Sequence, residues 1–221
     1  MVLRHLLPAL AILPWSLFVP ASGAFAATVP DVVPVRVYVS AGLESPAQAA
    51  AMKVASATLD AAGVAVAWRG CGGNTGASAC ATAPADGELI LRIVGSSPAI
   101  DSGQSHAARL RAPAGLPLGD AFVDVRSHSG VLATVYVDRV LLLARDAGVE
   151  TALLLGRAIA HEIGHLLLAS TRHGRYGLMR PIWSSEELRR GRPADWKFTR
   201  EEVAAIRTRL EAARIARHVR Y

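Results

Sequence analysis

Alternating apolar and polar positions predict several short β-strands in the first two thirds of the chain. Residues 35–39 interleave valines with Arg36 and Tyr38, as a half-buried strand does. A helix that begins at Ser45-Pro46 and runs to Gly63 separates this strand from the next one. A strand-helix-strand start of this length predicts a right-handed crossover and a partly parallel sheet. The other predicted strands cover residues 64–68, 88–94, 121–125 and 133–137.

Helical periodicity replaces the strand pattern in the second part of the chain. Helices are predicted over residues 138–143 and 150–168, with a short helix over residues 184–190. Thr199 and Glu202 form a T-x-x-E capping box that begins a last helix. Residues 95–119, rich in Ser, Gly, Pro and Ala, are predicted to be an irregular loop. The order of the elements favours an α+β fold with a mixed, twisted sheet.

The first 26 residues have the pattern of a secretory signal peptide. Arg4 precedes an apolar run over residues 6–19, and small residues lead up to Ala26. The alternative is an uncleaved membrane anchor, but prolines interrupt the run, which is shorter than the roughly 20 apolar residues that span a bilayer. We therefore expect cleavage after Ala26, a mature chain over residues 27–221 without a membrane span, and a secreted or periplasmic location.

The two cysteines of the chain agree with export. Cys71 and Cys80 lie nine positions apart in a glycine-rich loop, and a disulfide between them would persist in an oxidising compartment. The alternative is a metal site, but two thiols without a nearby histidine are a poor zinc ligand set. We predict the disulfide.

Basic residues are concentrated in the last third of the chain, and the net charge is +6. Nucleic acid or an anionic surface is one partner that such charge can attract. A solvated helix face is the alternative that we favour, because no aromatic residues interleave with the arginines as single-strand binding would require. We expect no nucleic-acid partner.

An H-E-x-x-H pattern lies on the second predicted helix, at His161, Glu162 and His165. Two histidines four positions apart point from the same side of a helix, so both imidazoles can reach one ion. Glu162 leaves the helix about 100 degrees further round, beside such an ion, where it can act as a general base toward a zinc-bound water. Zinc is the ion that catalytic sites of this type usually hold.

The apolar surroundings of the motif predict that this helix is buried. Buried histidines and a buried carboxylate are costly unless something pairs with them. The alternative to a metal is a histidine pair that is hydrogen-bonded within the core. A catalytic zinc has three protein ligands and one open position, so a third ligand is expected downstream. His173 is the nearest candidate, and the alternatives are Glu186, Glu187 and Asp195.

The segment from Ala160 to Pro181 resembles the metzincin clan of zinc peptidases, because H-E-I-G-H is followed by a further His and by Gly177-Leu178-Met179-Arg180-Pro181. The resemblance implies that His161, His165 and His173 are zinc ligands and that Glu162 is the catalytic base. It implies that Met179 lies in a turn beneath the zinc. It also implies a zincin-like fold, with a long active-site helix and an exposed edge strand that pairs with extended substrate. Residues 121–125 are the candidate for that strand.

This resemblance predicts one catalytic domain over residues 27–221, with an upper part of sheet and helices to residue 169 and a small, mainly helical lower part from residue 170. The expected activity is hydrolysis of peptide bonds in peptide or protein substrates. Two alternatives remain open: a zinc enzyme with Glu186 or Glu187 as third ligand, and a secreted, zinc-stabilised binding module without activity. Tyr176 is a further candidate for stabilising a tetrahedral intermediate, whereas His106 and His128 are expected in surface loops.

The chain departs from the usual metzincin pattern H-E-x-x-H-x-x-G-x-x-H at two positions. Leu168 occupies the place of the glycine, and Thr171 occupies the place of the third histidine, which here comes two residues later. The glycine normally lets the chain leave the helix sharply, so a longer connection through residues 169–171 is expected to bring His173 to the site.

Overall fold

The computed structural model describes residues 32–40, 42–72, 80–95, 117–124, 126 and 129–219. The predicted signal peptide, His106, His128 and most of the predicted loop over residues 95–119 lie outside the described residues. The described elements are β1 (Val32–Val39), α1 (Ser45–Asp60), β2 (Ala65–Gly70), β3 (Leu89–Val94), β4 (Gly119–Asp124), β5 (Ser129–Tyr136), α2 (Val137–Ala147), α3 (Thr151–Leu168), α4 (Ser185–Arg190), a 3-10 helix (Pro193–Trp196) and α5 (Arg200–Val219).

The strands form one mixed sheet in the order β2-β1-β3-β5-β4. β1 pairs in parallel with β2 and β3, and β3 pairs in parallel with β5. β4 is antiparallel to β5, with Ala121 opposite Ala133, and it forms one edge of the sheet. The predicted α+β class and the partly parallel sheet are confirmed.

Element ends differ from the predicted ones where the hydrophobic pattern is weak. β5 begins at Ser129 rather than at Ala133, because its first half is largely exposed and pairs with β4 at the rim of the sheet. α2 continues past Leu143 because Ala144 and Ala147 are small side chains that are nevertheless buried. The 3-10 helix over Pro193–Trp196 was not predicted, since four residues carry no periodic signal.

One face of the sheet forms the core together with the helices. Alternate residues of β1 and β3 point into it, and between them Arg92 is exposed on the other face. α3 lies at the centre, in contact with α1, α2, α5, β4 and β5. As predicted from its apolar sequence, α3 is buried along most of its length, and the buried positions include His161, Glu162 and His165. Among the described helices, none is both long and apolar enough to cross a membrane.

Residues 80–88 are linked to β1 and to the end of β2 by a disulfide, hydrogen bonds and an ion pair. Cys71 and Cys80 form the predicted disulfide. On the outer face of β1, the guanidinium of Arg36 donates to the carbonyl oxygens of Thr82 and Ala83 at 2.6 and 3.1 Å. Arg36 also lies 2.7 Å from a carboxylate oxygen of Glu88, and both side chains are buried. The two backbone carbonyls thus accept hydrogen bonds from the buried guanidinium, which offsets part of the cost of burying the ion pair.

We predict that the Arg36–Glu88 pair makes the stability of the protein sensitive to acid. The hydrogen bond from Arg36, and then that from the backbone of Ala85, lowers the pKa of Glu88 from 4.5 to about 2. A depressed carboxyl pKa stabilises the fold above the unfolded-state value, and this stability is lost as the pH falls from about 4.5 to about 2. Glu88→Gln should lower the melting temperature at pH 7 by roughly 5–10 °C, because it leaves Arg36 buried without its counter-charge.

Calorimetry of both proteins between pH 7 and pH 2 checks this, and the difference in melting temperature should shrink across that acid range. Glu211→Gln is the matched control, because the Glu211–Arg214 pair is exposed and contributes little. A constant difference at all pH values would contradict the assignment.

Candidate metal centre

Two histidines of α3 point to the same place from successive turns of the helix. The Nε2 atoms of His161 and His165 lie 3.1 Å apart, and both side chains are buried. The helical spacing of four residues accounts for this, because it returns nearly to the same side of the helix. The structure therefore brings the predicted pair together.

His173 reaches the same point from the loop after α3. Its Nε2 lies 3.2 Å from the Nε2 of His165. The three histidines form a group whose ligand atoms all lie within 4.8 Å of one another, and it is a group able to hold a metal ion. The longer connection that replaces the usual metzincin spacing thus still delivers the third imidazole.

Backbone carbonyls fix which nitrogen of each helical imidazole carries the hydrogen. Nδ1 of His161 lies 2.9 Å from the carbonyl oxygen of Leu178, and Nδ1 of His165 lies 2.7 Å from that of Ser170. A carbonyl oxygen only accepts, so each Nδ1 carries the hydrogen and donates it. In a neutral ring the Nε2 atom is then a bare lone pair.

The charge state of the rings agrees with this arrangement. The pKa of His161 is lowered to about 3, chiefly by burial; the hydrogen bond to Leu178 opposes this shift, and the neighbouring His165 and His173 contribute to it. Burial also lowers the pKa of His165 and of His173. All three rings are neutral at pH 7. The two buried Nε2 atoms, 3.1 Å apart, are therefore both available as donors to one cation.

The donor set fits zinc. Tetrahedral coordination with zinc–nitrogen distances of about 2.0–2.1 Å separates neighbouring ligand nitrogens by roughly 3.3 Å. The two Nε2 separations of 3.1 and 3.2 Å are close to this value. Three neutral imidazoles are also the ligand chemistry of a catalytic zinc with one open position, and a backbone carbonyl at Nδ1, as found for His161 and His165, is a usual way to orient such a ring.

The end of α3 differs from the glycine exit that the metzincin pattern uses. Ala169 adopts a left-handed conformation, with φ 43° and ψ 48°, which costs an alanine about 1 kcal/mol. The turn places the carbonyl of Ser170 against the Nδ1 of His165. A strained residue is thus kept at the position that orients a ligand, as is common at functional sites.

Met179 lies in the loop after His173 and packs against α3 at Gly164, the residue before His165. Its side chain is fully buried, and its Sδ lies 2.7 Å from the point that a Cβ on Gly164 would occupy. Gly164, inside the H-E-x-x-H pattern, is therefore needed for the close approach of the turn to α3. The neighbouring Leu178 supplies the carbonyl that holds His161.

Glu162 is buried beside the histidines, against the start of β4. A Cβ on Gly119 would lie 2.4 Å from the carbonyl oxygen of Thr134 and 2.7 Å from Cγ of Glu162, so only glycine allows this contact. Burial raises the pKa of Glu162 to about 8, and the negative charge of Asp120 acts in the same direction. A cation at the three histidines would act in the opposite direction and favour the carboxylate.

A cavity of about 520 Å³ opens at this site. His161, Glu162, His165 and His173 line one part of it, together with residues 117–121 around the start of β4. One face of α2 and residues 180–185 line the rest. The ring of Trp183, in this second wall, lies 5.5 Å from that of His161.

The other candidate ligands from the sequence lie elsewhere. Glu186 is exposed and pairs with Arg190, and Glu187 pairs with Arg180 while it caps α4. Asp195 lies in the 3-10 helix, and the side chain of Tyr176 is 72% exposed and does not line the cavity. None of these residues belongs to the metal-capable group found in the described part of the chain.

Sequence reasoning missed the residues that support the site from a distance. No sequence motif indicated a role for Gly119, for the carbonyls of Ser170 and Leu178, or for the α2 wall of the cavity. Only Gly119 left a weak signal, as a glycine next to a predicted strand.

Comparison with known proteins finds no matching family model and no matching curated protein. Among solved structures, one described as archaemetzincin from Methanopyrus kandleri is 16% identical, with a TM-score of 0.48, over 81% of this chain and 96% of that chain. One described as a zinc-dependent peptidase from Methanocorpusculum labreanum (strain Z) is 15% identical, with a TM-score of 0.46, over 78% of this chain and 99% of that chain.

The site resembles the metzincin site. The helical histidine pair and a third histidine from the following loop lie together in this chain, and a methionine of the same loop packs against the helix between the two helical histidines.

We predict one tightly bound zinc per chain and a dependence of its affinity on His173 but not on Glu186. His173→Ala removes one of three nitrogen donors and should weaken zinc binding by more than about 100-fold. Glu186→Ala removes an exposed side chain and should leave zinc binding unchanged. Zinc competition with a chromophoric chelator, with metal content measured on the purified proteins, checks both. Full affinity in the His173 variant and its loss in the Glu186 variant would reverse the ligand assignment.

Proposed function

We propose that this chain is a zinc-dependent peptidase in which His161, His165 and His173 hold the metal and Glu162 is the general base. The observation that carries the proposal is the group of three neutral imidazoles in the wall of a cavity, with a buried carboxyl beside it. A purely structural zinc site needs neither an open cavity nor a neighbouring base. The combination favours catalysis over a stabilising role.

Glu162 is the residue that moves protons in this proposal. Zinc, when bound, supplies a Lewis acid that makes water a nucleophile at neutral pH and polarises the scissile carbonyl. The carboxylate of Glu162 accepts a proton from the attacking water and returns it to the nitrogen of the leaving amine. Its burial excludes competing solvent, and its contact with Gly119 holds it beside the histidines.

The sheet edge next to the cavity supports a peptide as substrate. β4 is an edge strand among the described strands, and Gly119, Asp120 and Ala121 line the cavity. The backbone groups of an edge strand can pair with an extended peptide, which would align the peptide bonds of the substrate alongside the histidines. The segment favoured from the sequence, residues 121–125, overlaps this strand.

We also propose that the protein acts after export from the cytoplasm. The disulfide between Cys71 and Cys80 supports this, since such bonds persist in oxidising compartments. The signal-peptide pattern before Ala27 points the same way.

The direct test is hydrolysis of a mixed peptide library by the mature protein, followed by mass spectrometry. We expect cleavage that a chelator abolishes and that zinc restores. Glu162→Gln should bind zinc normally and lose at least about 1,000-fold in activity, because it removes the proton acceptor and leaves the ligands in place. Equal product formation by the zinc-loaded protein, the chelated protein and the variant would refute the peptidase proposal.

Gly119→Ala should separate the positioning of Glu162 from metal binding. The added methyl group collides with the backbone of β5 and with Glu162, so the carboxylate has to move. We expect peptide hydrolysis to fall roughly 100-fold, the size of effect that an ångström-scale misplacement produces. Zinc affinity should stay the same because no ligand is touched.

Gly70→Ala is the matched control for this substitution. Gly70 also lies in a strand, and a Cβ there meets nothing within 4 Å. Normal hydrolysis by Gly119→Ala, or an equal loss in Gly70→Ala, would show that Gly119 does not position Glu162.

A further inference from the structure

Part of the cavity wall is formed by α2 and by the loop before α4. Arg139, Leu142, Leu143 and Asp146 line the cavity from α2, and their spacing puts them on one face of the helix. We call the part of the cavity between α2 and this loop the side pocket, and its lining residues are Leu142, Leu143, Asp146, Ile182 and Trp183.

The two ends of this α2 face differ in position and in charge. Arg139 donates to the carbonyl of Pro117 at 2.6 Å, two residues before the glycine that touches Glu162. The Arg139 end is therefore the end next to the proposed catalytic carboxyl. Asp146 lies seven residues further along, about 10 Å away along the helix axis. A substrate side chain has to be long to approach Asp146 from the reacting bond.

The wall between the two ends is apolar, and the far end is open to water. Leu142 and Leu143 are half-buried, Trp183 is buried, and Ile182 is 59% exposed. Asp146 is exposed, and its carboxylate accepts a hydrogen bond from the hydroxyl of Ser185 at the start of α4. An apolar stem followed by a solvated carboxylate matches a side chain with a hydrocarbon chain and a cationic end, since lysine and arginine bury their stems and keep their heads in water.

The arginines that line the cavity already have partners. Arg139 bonds to Pro117, and its guanidinium lies 4.2 Å from the ring of Tyr136. Arg180 is paired with Glu187. Among the described residues, Asp146 accepts a hydrogen bond from a hydroxyl and forms no ion pair, so its negative charge is available to a ligand.

We propose that the side pocket selects lysine or arginine next to the scissile bond and that Asp146 is the residue that recognises the positive charge. This rests on the proposed peptidase function, because it names the substrate class of the same site. A glutamate or aspartate side chain would be repelled, and an uncharged side chain of equal length would keep only the apolar contacts.

The test uses two alanine hexapeptides that differ at one central position, lysine in one and norleucine in the other. Norleucine matches the hydrocarbon stem of lysine and lacks the charge. Binding is measured by tryptophan fluorescence and calorimetry with the zinc-loaded Glu162→Gln protein, so no turnover is needed. We expect the lysine peptide to bind about tenfold more tightly than the norleucine peptide, as a charge-assisted contact at a partly exposed site allows.

Adding Asp146→Asn to this protein should remove the preference, so that the two affinities agree within about twofold. Norleucine binding should be unchanged, which also reports that the pocket is folded. Ser185→Ala is the matched control: it removes the α2–α4 hydrogen bond to Asp146 but keeps the charge, and the lysine preference should persist. Glu150→Gln removes an exposed charge that does not line the cavity and should also leave the preference unchanged.

A lysine preference that survives Asp146→Asn, equal affinities for the two peptides, or loss of both affinities in Asp146→Asn would each overturn the proposal. In parallel, the wild-type enzyme should cleave the lysine peptide at a bond beside the lysine. If it cleaves nothing while the binding preference depends on Asp146, the pocket assignment stands and the peptidase function fails. If it cleaves both peptides equally, the peptidase function stands and the pocket assignment fails.

Discussion

The contact between the imidazole nitrogens of His161 and His165 is the constraint on which the rest of the site depends. Each ring donates its Nδ1 hydrogen to a backbone carbonyl, so each presents a lone pair to the other at 3.1 Å. Separating the lone pairs would break those carbonyl bonds inside a buried helix, and protonating a ring would place a charge where burial opposes it. A divalent cation bound by both Nε2 atoms would accept both lone pairs while the carbonyl bonds are kept and the rings stay neutral.

The two carbonyls also explain why the loops after α3 have their particular course. Leu178 holds His161 and Ser170 holds His165, so the loop is attached to the helix at both helical histidines. The first contact requires the turn around Met179 to lie against Gly164, and the second requires a left-handed residue at Ala169. His173 lies between these two anchored points. Its approach to the helical pair is therefore imposed by the path of the loop, although its spacing differs from the usual pattern.

The sequence predicted the parts of this arrangement that are local and periodic. The strands, the long helix and the H-E-x-x-H spacing follow from residues close together in the chain, and the structure contains them. Residues that act from far along the chain were not predictable: Gly119 meets Glu162 across 43 positions, and Arg139 and Asp146 reach the cavity only through the packing of α2. The sequence showed that His173 comes two residues later than the usual third histidine. It did not show the left-handed conformation of Ala169 at the end of α3, because an alanine gives no sign of a positive φ.

Metal binding and folding should be coupled in this protein. α3 buries two imidazoles and a carboxyl within little more than one turn, and burial of such polar groups opposes folding. A cation held by the three histidines would bind the folded arrangement alone, so its binding would add stability. The apolar packing of α3 against the sheet and against α1 offsets the cost of burying these polar groups. The same helix is therefore both the central packed element of the described fold and the element on which His161, Glu162 and His165 lie.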